Sequence, residues 1–591
     1  MRTRLASLLA RSVLCLCVAT TVARAERPAT QSTDALALIR DEGLNRSKVA
    51  ETAEALCNGV GPRLTGSPAV RRANLWARDT LSGWGLSDAR LEPWGPFGRG
   101  WTLSRFSLAV TQPYPFVVNA YPKAWSPGLE RAVESDIVYL DAKAEADLQP
   151  YADRVRGRIV LIGSPRPPGD PFEPLARRLD DDRLAALAAD DRSTIDLMRP
   201  AATQPTTHPG PATRPAGPGA DFAAKAFAAK ALAFAAAHGA AAVLTSSPGG
   251  DAGTIFVTGA TVPDDTPRTG PGGPMTRPQA WWPDSGIAAP QIVVGVEDFA
   301  RLVTLSRRDV PLRTVLDLKA DFTEEMPQQH NTLADLPGTD KADEIVMCGA
   351  HLDSWHSATG ATDNASGVVV AMEAVRLIHA SGLKPRRTIR VALWTGEEQG
   401  VLGSAAYVKA HFGRMNEPAT QPATRPSPPP DAHDLLAVND IPTTRAATQP
   451  ARLTKGSAYE KLSVYFNLDH GTGRIRGIYS ENNRAAVPIF QQWFRPLADL
   501  GATTVAPGGT GFTDHICFDT LGLPGFQFIQ DPIDYFTRTH HANADTFERL
   551  QIDDLKQAAV VMATFLWNAA NAEERFPRKP LVLAPGMPGE G

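Results

Sequence analysis

Histidine and acidic residues follow several short apolar segments in the second half of this sequence. These residues are His351, Asp353, Asp363, Glu397, Glu398, Asp469, His540 and His541. Zinc binds imidazole nitrogen and carboxylate oxygen, which makes such residues candidate metal ligands. Two metal ions about 3.5–4 Å apart need a shared ligand, and a carboxylate can supply one oxygen to each. The residue types therefore predict a site for two zinc ions that activates water for hydrolysis.

Asp363 is the expected bridging ligand between the two ions. We expect His351 and Asp469 to bind one ion. Glu398 and a histidine of the 540–541 pair are expected to bind the other. Singly, each motif has an ordinary structural explanation, since an Asp at the start of a helix can simply cap it. Their joint occurrence after successive apolar segments favours the metal site.

Asp353 and Glu397 are expected to assist the metal site rather than to bind metal. Asp353 lies two residues after His351 and can accept a hydrogen bond from the second ring N–H, which would fix the histidine tautomer. Glu397 adjoins a ligand but points differently, and it is the expected general base. It would remove a proton from the metal-bound water and pass it to the leaving amine.

The apolar segments before these residues are predicted to be strands of one sheet. They lie at 345–350, 388–394, 462–468 and 526–529, and a helix is predicted at 365–380. Alternating strands and helices are typical of a parallel sheet with helices on both faces. Ligand sites in such sheets lie beyond the carboxyl ends of the strands. The sequence therefore predicts an α/β fold with a doubly wound, mostly parallel (mixed) sheet.

A second, β-rich unit is predicted to interrupt the catalytic domain. Its expected elements are strands at 136–140, 158–162, 241–244 and 291–294 and an alanine-rich helix at 222–238. Two stretches dominated by Pro, Ala, Thr and Gly, at about 199–219 and 416–452, are expected to be disordered inserts, because such composition cannot bury enough apolar surface. The full division is a signal peptide at 1–25, a helical start of the catalytic domain at 26–120, the inserted unit at 121–315, the catalytic domain at 316–572 and a Pro/Gly-rich tail at 573–591.

Composition and the first residues indicate an exported globular protein. The 591 residues are 43% hydrophobic and 21% charged with a net charge of −4, which argues against a nucleic-acid partner. Arg2, Arg4, an apolar run at 5–22 and the Ala23-Arg24-Ala25 cleavage site predict a signal peptide and a secreted or periplasmic location. We predict no integral membrane span in the mature chain. The three cysteines after the signal peptide are too few for a disulfide framework.

The motifs together resemble the family of two-zinc aminopeptidases and glutamate carboxypeptidases. The matching segments are HLDSWHSATGATDNASG from His351, LWTGEEQGVLGS from Leu393, FNLDHGTG from Phe466, GFTDHICFDTLGLPGFQFI from Gly511 and HHANADT from His540. The resemblance implies a metallo-exopeptidase with a zinc-peptidase core, two Zn²⁺ per chain and a peptide substrate. It also implies a protease-associated (PA) domain at 121–315, with a homodimer left open. In the family, the metal-binding His lies four residues before the acidic residue of the last motif, which implies His541 as the ligand and Asp545 as its partner.

The direction of cleavage stays open at this point, with aminopeptidase or dipeptidase-like activity favoured. An aminopeptidase needs an acidic or carbonyl group for the substrate amine, and a carboxypeptidase needs a cation for the terminal carboxylate. Asp514 and Arg538 lie in loops that can serve either purpose. A catalytically inactive binding protein and a glutaminyl-cyclase-like acyltransferase stay open as well. Asn364 stands where many relatives have a second Asp, a position that binds no metal, so we expect activity to be retained.

Overall fold

The computed structural model describes most of the chain, in the ranges 29–170, 172–189, 218–263, 268–269, 275–323, 328–416, 452–511 and 513–581. The predicted signal peptide at 1–25 lies outside the described residues. Almost all of both predicted inserts and the end of the predicted tail lie outside them too. Among the described residues, no helix combines the length and apolar character needed to cross a membrane.

The strands are numbered along the chain. They are β1 (Ser87–Trp94), β2 (Gly100–Gln112), β3 (Phe116–Val117), β4 (Ala120–Pro122), β5 (Val133–Leu140), β6 (Ile159–Ile162), β7 (Ala242–Ser246), β8 (Arg268–Thr269), β9 (Met275–Thr276), β10 (Gln291–Val294), β11 (Arg313–Thr323), β12 (Gln329–Leu336), β13 (Lys341–His351), β14 (Arg387–Trp394), β15 (Gly413–Asn416), β16 (Arg452–Lys455), β17 (Leu462–Asn467), β18 (Ile475–Tyr479), β19 (Thr504–Ala506) and β20 (Gly525–Gln530).

The helices are numbered in the same way. They are α1 (Ala29–Asn45), α2 (Val49–Glu54), α3 (Pro68–Gly83), α4 (Asp181–Ala189), α5 (Pro218–Ala237), α6 (Val296–Arg307), α7 (Ser366–Ala380), α8 (Leu402–His411), α9 (Ala486–Phe494), α10 (His515–Asp519) and α11 (Ile552–Asn571). Short helical turns at Ala361–Ala365 and Tyr535–Thr539 matter for the site described below.

One eight-stranded sheet, here called the ligand sheet, has the order β1-β12-β14-β13-β17-β20-β18-β19. Its four central strands, β14, β13, β17 and β20, run parallel to one another. Antiparallel pairs attach β12 to β14 and β18 to β20 on either side. The predicted α/β fold with a mixed, mostly parallel central sheet is therefore confirmed.

Helices cover both faces of the ligand sheet because its central strands are apolar on both sides. In β13, Val346 and Cys348 pack in the hydrophobic core that contains α7 and α11. Met347, between them, points to the opposite face and packs with residues of α8 and α10 such as Tyr407 and Phe518. This alternation is the period of two expected of a strand buried on both faces.

The second eight-stranded sheet has the order β3-β2-β11-β5-β6-β7-β10-β4. Strands β5, β6, β7 and β10 are parallel, and the remaining pairs are antiparallel. We call the residues 100–323 that contain these strands the second unit. Because β2 pairs with β11, this unit includes strands that precede the domain start predicted at residue 121. The assignment of 121–315 as a PA-like domain stays a prediction.

Two kinds of contact join the second unit to the ligand sheet. An aromatic cluster brings Trp101 and Trp125 of the second unit together with Trp94 and Trp355. In addition, helix α4 of the second unit packs Leu184 and Leu187 against Tyr479, Ala506 and Ile529 of the ligand sheet. The loops that carry the predicted metal ligands therefore lie beside a second structural unit.

Candidate metal centre

The carboxyl ends of the parallel strands bring the predicted ligands together. Strand β13 ends at His351, and Asp469 follows the end of β17. Asp363 lies in the turn Ala361–Ala365, directly before α7. His351 Nε2 is 3.0 Å from Asp469 Oδ1 and 3.2 Å from Asp363 Oδ1. These three buried side chains form a group that can hold one metal ion.

A second group lies on the other side of Asp363. His541 Nε2 is 2.8 Å from Glu398 Oε2 and 3.4 Å from Asp363 Oδ2. The two carboxylate oxygens of Asp363 therefore face different histidines. This is the arrangement that a bridging carboxylate requires.

His540 lies close to the same carboxylate but farther away. Its Nε2 is 4.0 Å from Asp363 Oδ2, and its ring stacks on that of His541 with the centroids 3.8 Å apart. Donor atoms of His540, His541 and Asp363 lie close enough together to share an ion. Only His541 also contacts Glu398, which favours the choice made from the sequence.

The donor set suits a cation because its carboxylates are buried and incompletely hydrogen-bonded. Among the described residues, Asp363 Oδ2 and Glu398 Oε1 are buried without a hydrogen-bond partner. Burial raises the pKa of Glu397 and Glu398 well above the usual carboxyl range. Burying a carboxylate without a partner costs free energy, and a bound metal ion can offset this cost by neutralising the charge. The residues present therefore fit a metal with oxygen and nitrogen ligands.

Glu397 lies beside the first group without belonging to it. Its Oε2 is 3.9 Å from His351 Nε2, and its side chain is 11% exposed, against 1% for His351. A carboxylate so placed can reach a molecule bound at the metal centre. This position agrees with the role of a general base, which stays a prediction.

Asp353 supports the site through both its main chain and its carboxylate. His351 Nδ1 is 3.0 Å from the main-chain oxygen of Asp353 and 3.7 Å from its carboxylate. The main-chain oxygen is thus the nearer acceptor, although either contact would fix the same tautomer. The carboxylate accepts hydrogen bonds from the main-chain N–H groups of Glu397 and Glu398 at 3.3 and 3.4 Å and from Thr65 Oγ1 at 2.8 Å. Asp353 therefore links the two loops that carry the first histidine and the acidic pair.

Asp545 and Asn364 hold the backbone around the bridging residue. The Asp545 carboxylate accepts hydrogen bonds from the main-chain N–H groups of Thr362 at 2.6 Å and Asp363 at 3.1 Å. Asn364 donates to the main-chain oxygen of Leu468 at 2.9 Å and accepts from Gly367 N–H at 2.9 Å. The amide of Asn364 thus connects the turn Ala361–Ala365, here called the bridging turn because it carries Asp363, to the end of β17.

Arg63 is a buried support that sequence reasoning missed. Its guanidinium donates to the main-chain oxygens of Leu352, Thr359 and Gly360 at 2.6–2.8 Å, and to that of Gly61 at 3.1 Å. It therefore holds the loop between β13 and the bridging turn. The local sequence Gly61-Pro62-Arg63 indicates only a loop, and nothing in it reveals carbonyl groups almost three hundred positions away as partners of the arginine.

His356, Asp514 and Arg538 occupy different surroundings. His356 lies outside the metal groups, with Nε2 2.7 Å from the main-chain oxygen of Pro122, and burial lowers its pKa to about 4. Asp514 is buried, and among the described residues both its carboxylate oxygens lack a hydrogen-bond partner. Burial raises the pKa of Asp514 to about 7. Arg538 lies in the turn Tyr535–Thr539, on the loop that leads to His541.

Comparison with known proteins identifies the part of the chain that carries this centre. Residues 331–566 match the model of peptidase family M28. This segment therefore resembles the M28 peptidases. The matched segment spans all the predicted ligands, from His351 to His541, and the predicted family resemblance is confirmed.

Curated M28-related proteins match about half of the chain. Carboxypeptidase Q of Mus musculus is 26% identical over 289 residues, which cover 49% of this chain and 52% of that protein. Leupeptin-inactivating enzyme 1 of Streptomyces exfoliatus is 24% identical over 264 residues, covering 42% and 50%. The chain thus spans about half the length of the curated relatives it matches. The Ser354-Trp355 pair and the Asp469–Thr472 turn indicate a likeness to carboxypeptidase Q, also called plasma glutamate carboxypeptidase, and this likeness is confirmed.

A solved structure matches nearly the whole fold. The crystal structure of a Peptidase M28 precursor from Shewanella amazonensis SB2B has a TM-score of 0.58 and 23% sequence identity. The match covers 93% of this chain and 99% of that one. The ligand sheet and the second unit therefore occur together in a known fold.

Proposed function

We propose that this protein is an exported zinc-dependent exopeptidase that hydrolyses terminal peptide bonds of peptides or dipeptides. The observation that supports it is the convergence of His351, Asp469, Asp363, Glu398 and His541 around one buried carboxylate, with Glu397 beside them. The resemblance to the M28 peptidases supports the same reaction class.

Two zinc ions per chain fit the two groups of ligands. His351 and Asp469 would hold one ion, Glu398 and His541 the other, and Asp363 would contact both. Bound zinc supplies a Lewis acid that polarises the scissile carbonyl and lowers the pKa of water. The protein supplies rigid ligand placement, because all five side chains are almost fully buried.

Glu397 is the proposed general base. Its burial raises the pKa of the carboxyl, so it holds a proton more readily than an exposed glutamate. A base of this kind can take a proton from the attacking water and transfer it to the nitrogen of the leaving amine. Asp353 fixes the main chain of Glu397 by accepting its N–H at 3.3 Å, which keeps the base aimed at the metal centre.

The charge around the centre favours recognition of a free amine over a free carboxylate. Asp514 is buried close enough to interact electrostatically with His351 and Asp469. Arg63 is a buried cation near the bridging turn, but its guanidinium already donates to main-chain oxygens and so is not free to bind a substrate carboxylate. An ammonium group would therefore find acceptors here, which supports aminopeptidase or dipeptidase-like activity.

A panel of peptides tests both the reaction and its direction. Dipeptides, N-blocked peptides and C-blocked peptides are incubated with the purified protein, with and without a chelator. We expect the chelator to abolish cleavage. We also expect N-blocked peptides to stay intact while C-blocked peptides are cleaved. Cleavage that only C-blocking prevents would reverse the direction to carboxypeptidase and implicate a cation such as Arg538. Cyclisation of N-terminal glutamine, or metal binding without any hydrolysis, would contradict the proposal.

Export and domain identity complete the proposal. The signal peptide predicted at 1–25 supports a secreted or periplasmic location, and the position of the second unit supports a PA-like domain within the peptidase. Expression of the full-length gene product, followed by N-terminal sequencing of the extracytoplasmic fraction, tests the first point. A mature N-terminus near Glu26 is expected, and recovery of the intact chain in the cytoplasm would contradict export.

A further inference from the structure

The loop that carries His541 has a backbone conformation that needs external support. His541 has a φ of 56°, in the left-handed region. Residues other than glycine adopt this region rarely, and usually only where surrounding contacts impose it. The contacts that impose it on His541 therefore also determine where its imidazole lies.

These contacts come from the second unit. Residues 253–257 lie antiparallel to residues 541–543, with Phe256 opposite Ala542. Val257 N–H donates to the main-chain oxygen of His541 at 2.8 Å, and Asn543 N–H donates to that of Ile255 at 3.1 Å. The backbone of the candidate metal ligand is thus paired directly with a segment outside the ligand sheet.

The side chain of Asn543 closes this pairing. Its Oδ1 accepts a hydrogen bond from Ile255 N–H at 2.8 Å, and its Nδ2 donates to the main-chain oxygen of Gly253 at 3.1 Å. Asparagine satisfies both because its amide carries an acceptor and a donor. An aliphatic side chain at 543 would lose both bonds and leave the N–H of Ile255 without this acceptor.

The segment that Asn543 contacts is itself firmly held. Ile255 and Val257 are fully buried and pack against Val293 of β10. Phe256 N–H donates to Ser247 Oγ at 3.1 Å. Asn119, within the second unit, also donates from Nδ2 to the Gly253 oxygen at 2.8 Å, but this bond lies at the opposite end of the segment from Val257, which bonds to His541. Residues 253–257 can therefore act as a fixed template for the His541 loop.

We propose that Asn543 is a positioning residue that fixes His541 by tying its loop to residues 253–257 of the second unit. The ligand group of His541, Glu398 and Asp363 is then complete only when the second unit is in contact. The group of His351 and Asp469 does not depend on this pairing, because His351 ends β13 and Asp469 follows β17 of the ligand sheet. This inference rests on the proposed function of the centre as a two-metal site.

Metal retention in Asn543→Ala tests the proposal. The variant, the parent protein and the control Asn119→Ala are loaded with Zn²⁺ and dialysed against rising EDTA concentrations, and bound zinc is measured by mass spectrometry. Asn119→Ala is matched because it removes a hydrogen bond to the same Gly253 oxygen from the other side. We expect Asn543→Ala to release one of its two ions at about tenfold lower EDTA than the parent, because supporting hydrogen bonds of this kind typically change metal affinity 10- to 100-fold. Asn119→Ala should follow the parent.

A spectroscopic measurement separates positioning from general destabilisation. With Co²⁺ in place of Zn²⁺, the absorption of the ion held by His541 should change in Asn543→Ala while that of the other ion is kept. Simultaneous loss of both ions, or release of zinc identical to that of Asn119→Ala, would overturn the proposal. If Asn543→Ala does not fold, Asn543→Asp takes its place. It puts a carboxylate oxygen against the main-chain oxygen of Gly253, where Asn543 donates a hydrogen bond, and this repulsion must produce the selective release or the proposal fails. A parent protein that binds no zinc would instead contradict the proposed function itself.

Discussion

The ligand sheet and the second unit contain the same topological element but use it differently. Each has four adjacent parallel strands, β14-β13-β17-β20 in one and β5-β6-β7-β10 in the other. Within the described parts of the chain, groups that could hold a metal occur only at the ligand sheet. A parallel sheet therefore brings the ends of several strands to one edge. The residue types at those ends determine whether the edge can form a metal site.

The second unit contributes contacts instead of ligands. Its segment 253–257 pairs with the His541 loop, and Arg178 bridges Asp531 and Asp554 on the ligand sheet side at 2.9 and 2.6 Å. Asp531 directly follows β20 and begins the loop that leads to His541. The ligand sheet thus carries the predicted metal ligands, and the second unit carries residues that contact the His541 loop.

The largest expected effect comes from removing the carboxylate shared by both ligand groups. Asp363→Ala should lose both zinc ions and bring peptide hydrolysis below detection, because each oxygen of Asp363 faces a different histidine. Zinc content and turnover measured on the same sample check this. Substitution of Asp298, a carboxylate of the second unit that accepts from Asn119 N–H, serves as the control and should retain two ions. Retention of both ions by Asp363→Ala would exclude the bridging role.

Glu397→Gln is expected to separate catalysis from metal binding. The variant should keep both zinc ions and lose about 10²- to 10⁴-fold in kcat, the usual contribution of a general base. Steady-state kinetics together with zinc analysis provide the test. Normal turnover in this variant would show that another group takes the proton.

Arg63→Ala should destabilise the fold around the ligand sheet by about 3–5 kcal/mol, since it would leave main-chain oxygens without their buried cationic donor. The affected oxygens belong to the loop after His351. Urea unfolding of the zinc-free protein measures the change without the contribution of bound metal. A loss below about 1 kcal/mol would mean that water replaces the guanidinium.

His356 should make stability at the boundary of the two regions depend on pH. Its pKa is lowered by burial from 6.5 to about 4, so between these values the unfolded chain binds a proton that the folded protein does not. The free energy of unfolding should therefore fall by up to about 3 kcal/mol as the pH drops from 6.5 to 4. His356→Gln should remove this part of the pH dependence, measured as the difference between variant and parent in urea unfolding at pH 7 and pH 4.5. If the free energies of unfolding of variant and parent differ by the same amount at both pH values, the pKa of His356 is not lowered in the folded protein.

The smallest effect is expected on the outer surface of the second unit. Arg105 pairs with Asp317 across β2 and β11, but its side chain is 63% exposed. Solvent screens such pairs, and many contribute nothing measurable. Arg105→Ala should leave the thermal midpoint and zinc content within experimental error, and a clear loss of either would mean that this surface is coupled to the metal centre.

The sequence predicted the ligand sheet well because its signals are local. Buried strands such as Leu462–Asn467 are short apolar runs, and the predicted ligand Asp469 lies two residues after the end of this one. The four central strands and α7 lie close to their predicted bounds, and the predicted ligands lie within contact distance of one another. Cys57, Cys348 and Cys517, which follow the predicted signal peptide, are free thiols.

Elements whose partners are distant in the chain were missed. Strand β2 is half exposed and mixed in composition, and it becomes a strand because β11 pairs along its whole length. Helices α6 and α11 were not predicted either, although α11 carries much of the core beneath the ligand sheet. No sequence motif marks Arg63 or the segment 253–257. Both contact main-chain groups of residues that are distant in the sequence and that only the fold brings close to them.

Helix α4 shows that the second unit is not a detachable module. Helix α4, which follows β6, places Leu184 and Leu187 on Tyr479 and Ile529 of the ligand sheet. Helix α5 packs Leu232 with Val160 and Val243 of the second unit. Excising residues 121–315 would therefore uncover part of the peptidase core as well as remove a neighbour. A shortened relative or an engineered minimal enzyme would need a new apolar cover for that surface.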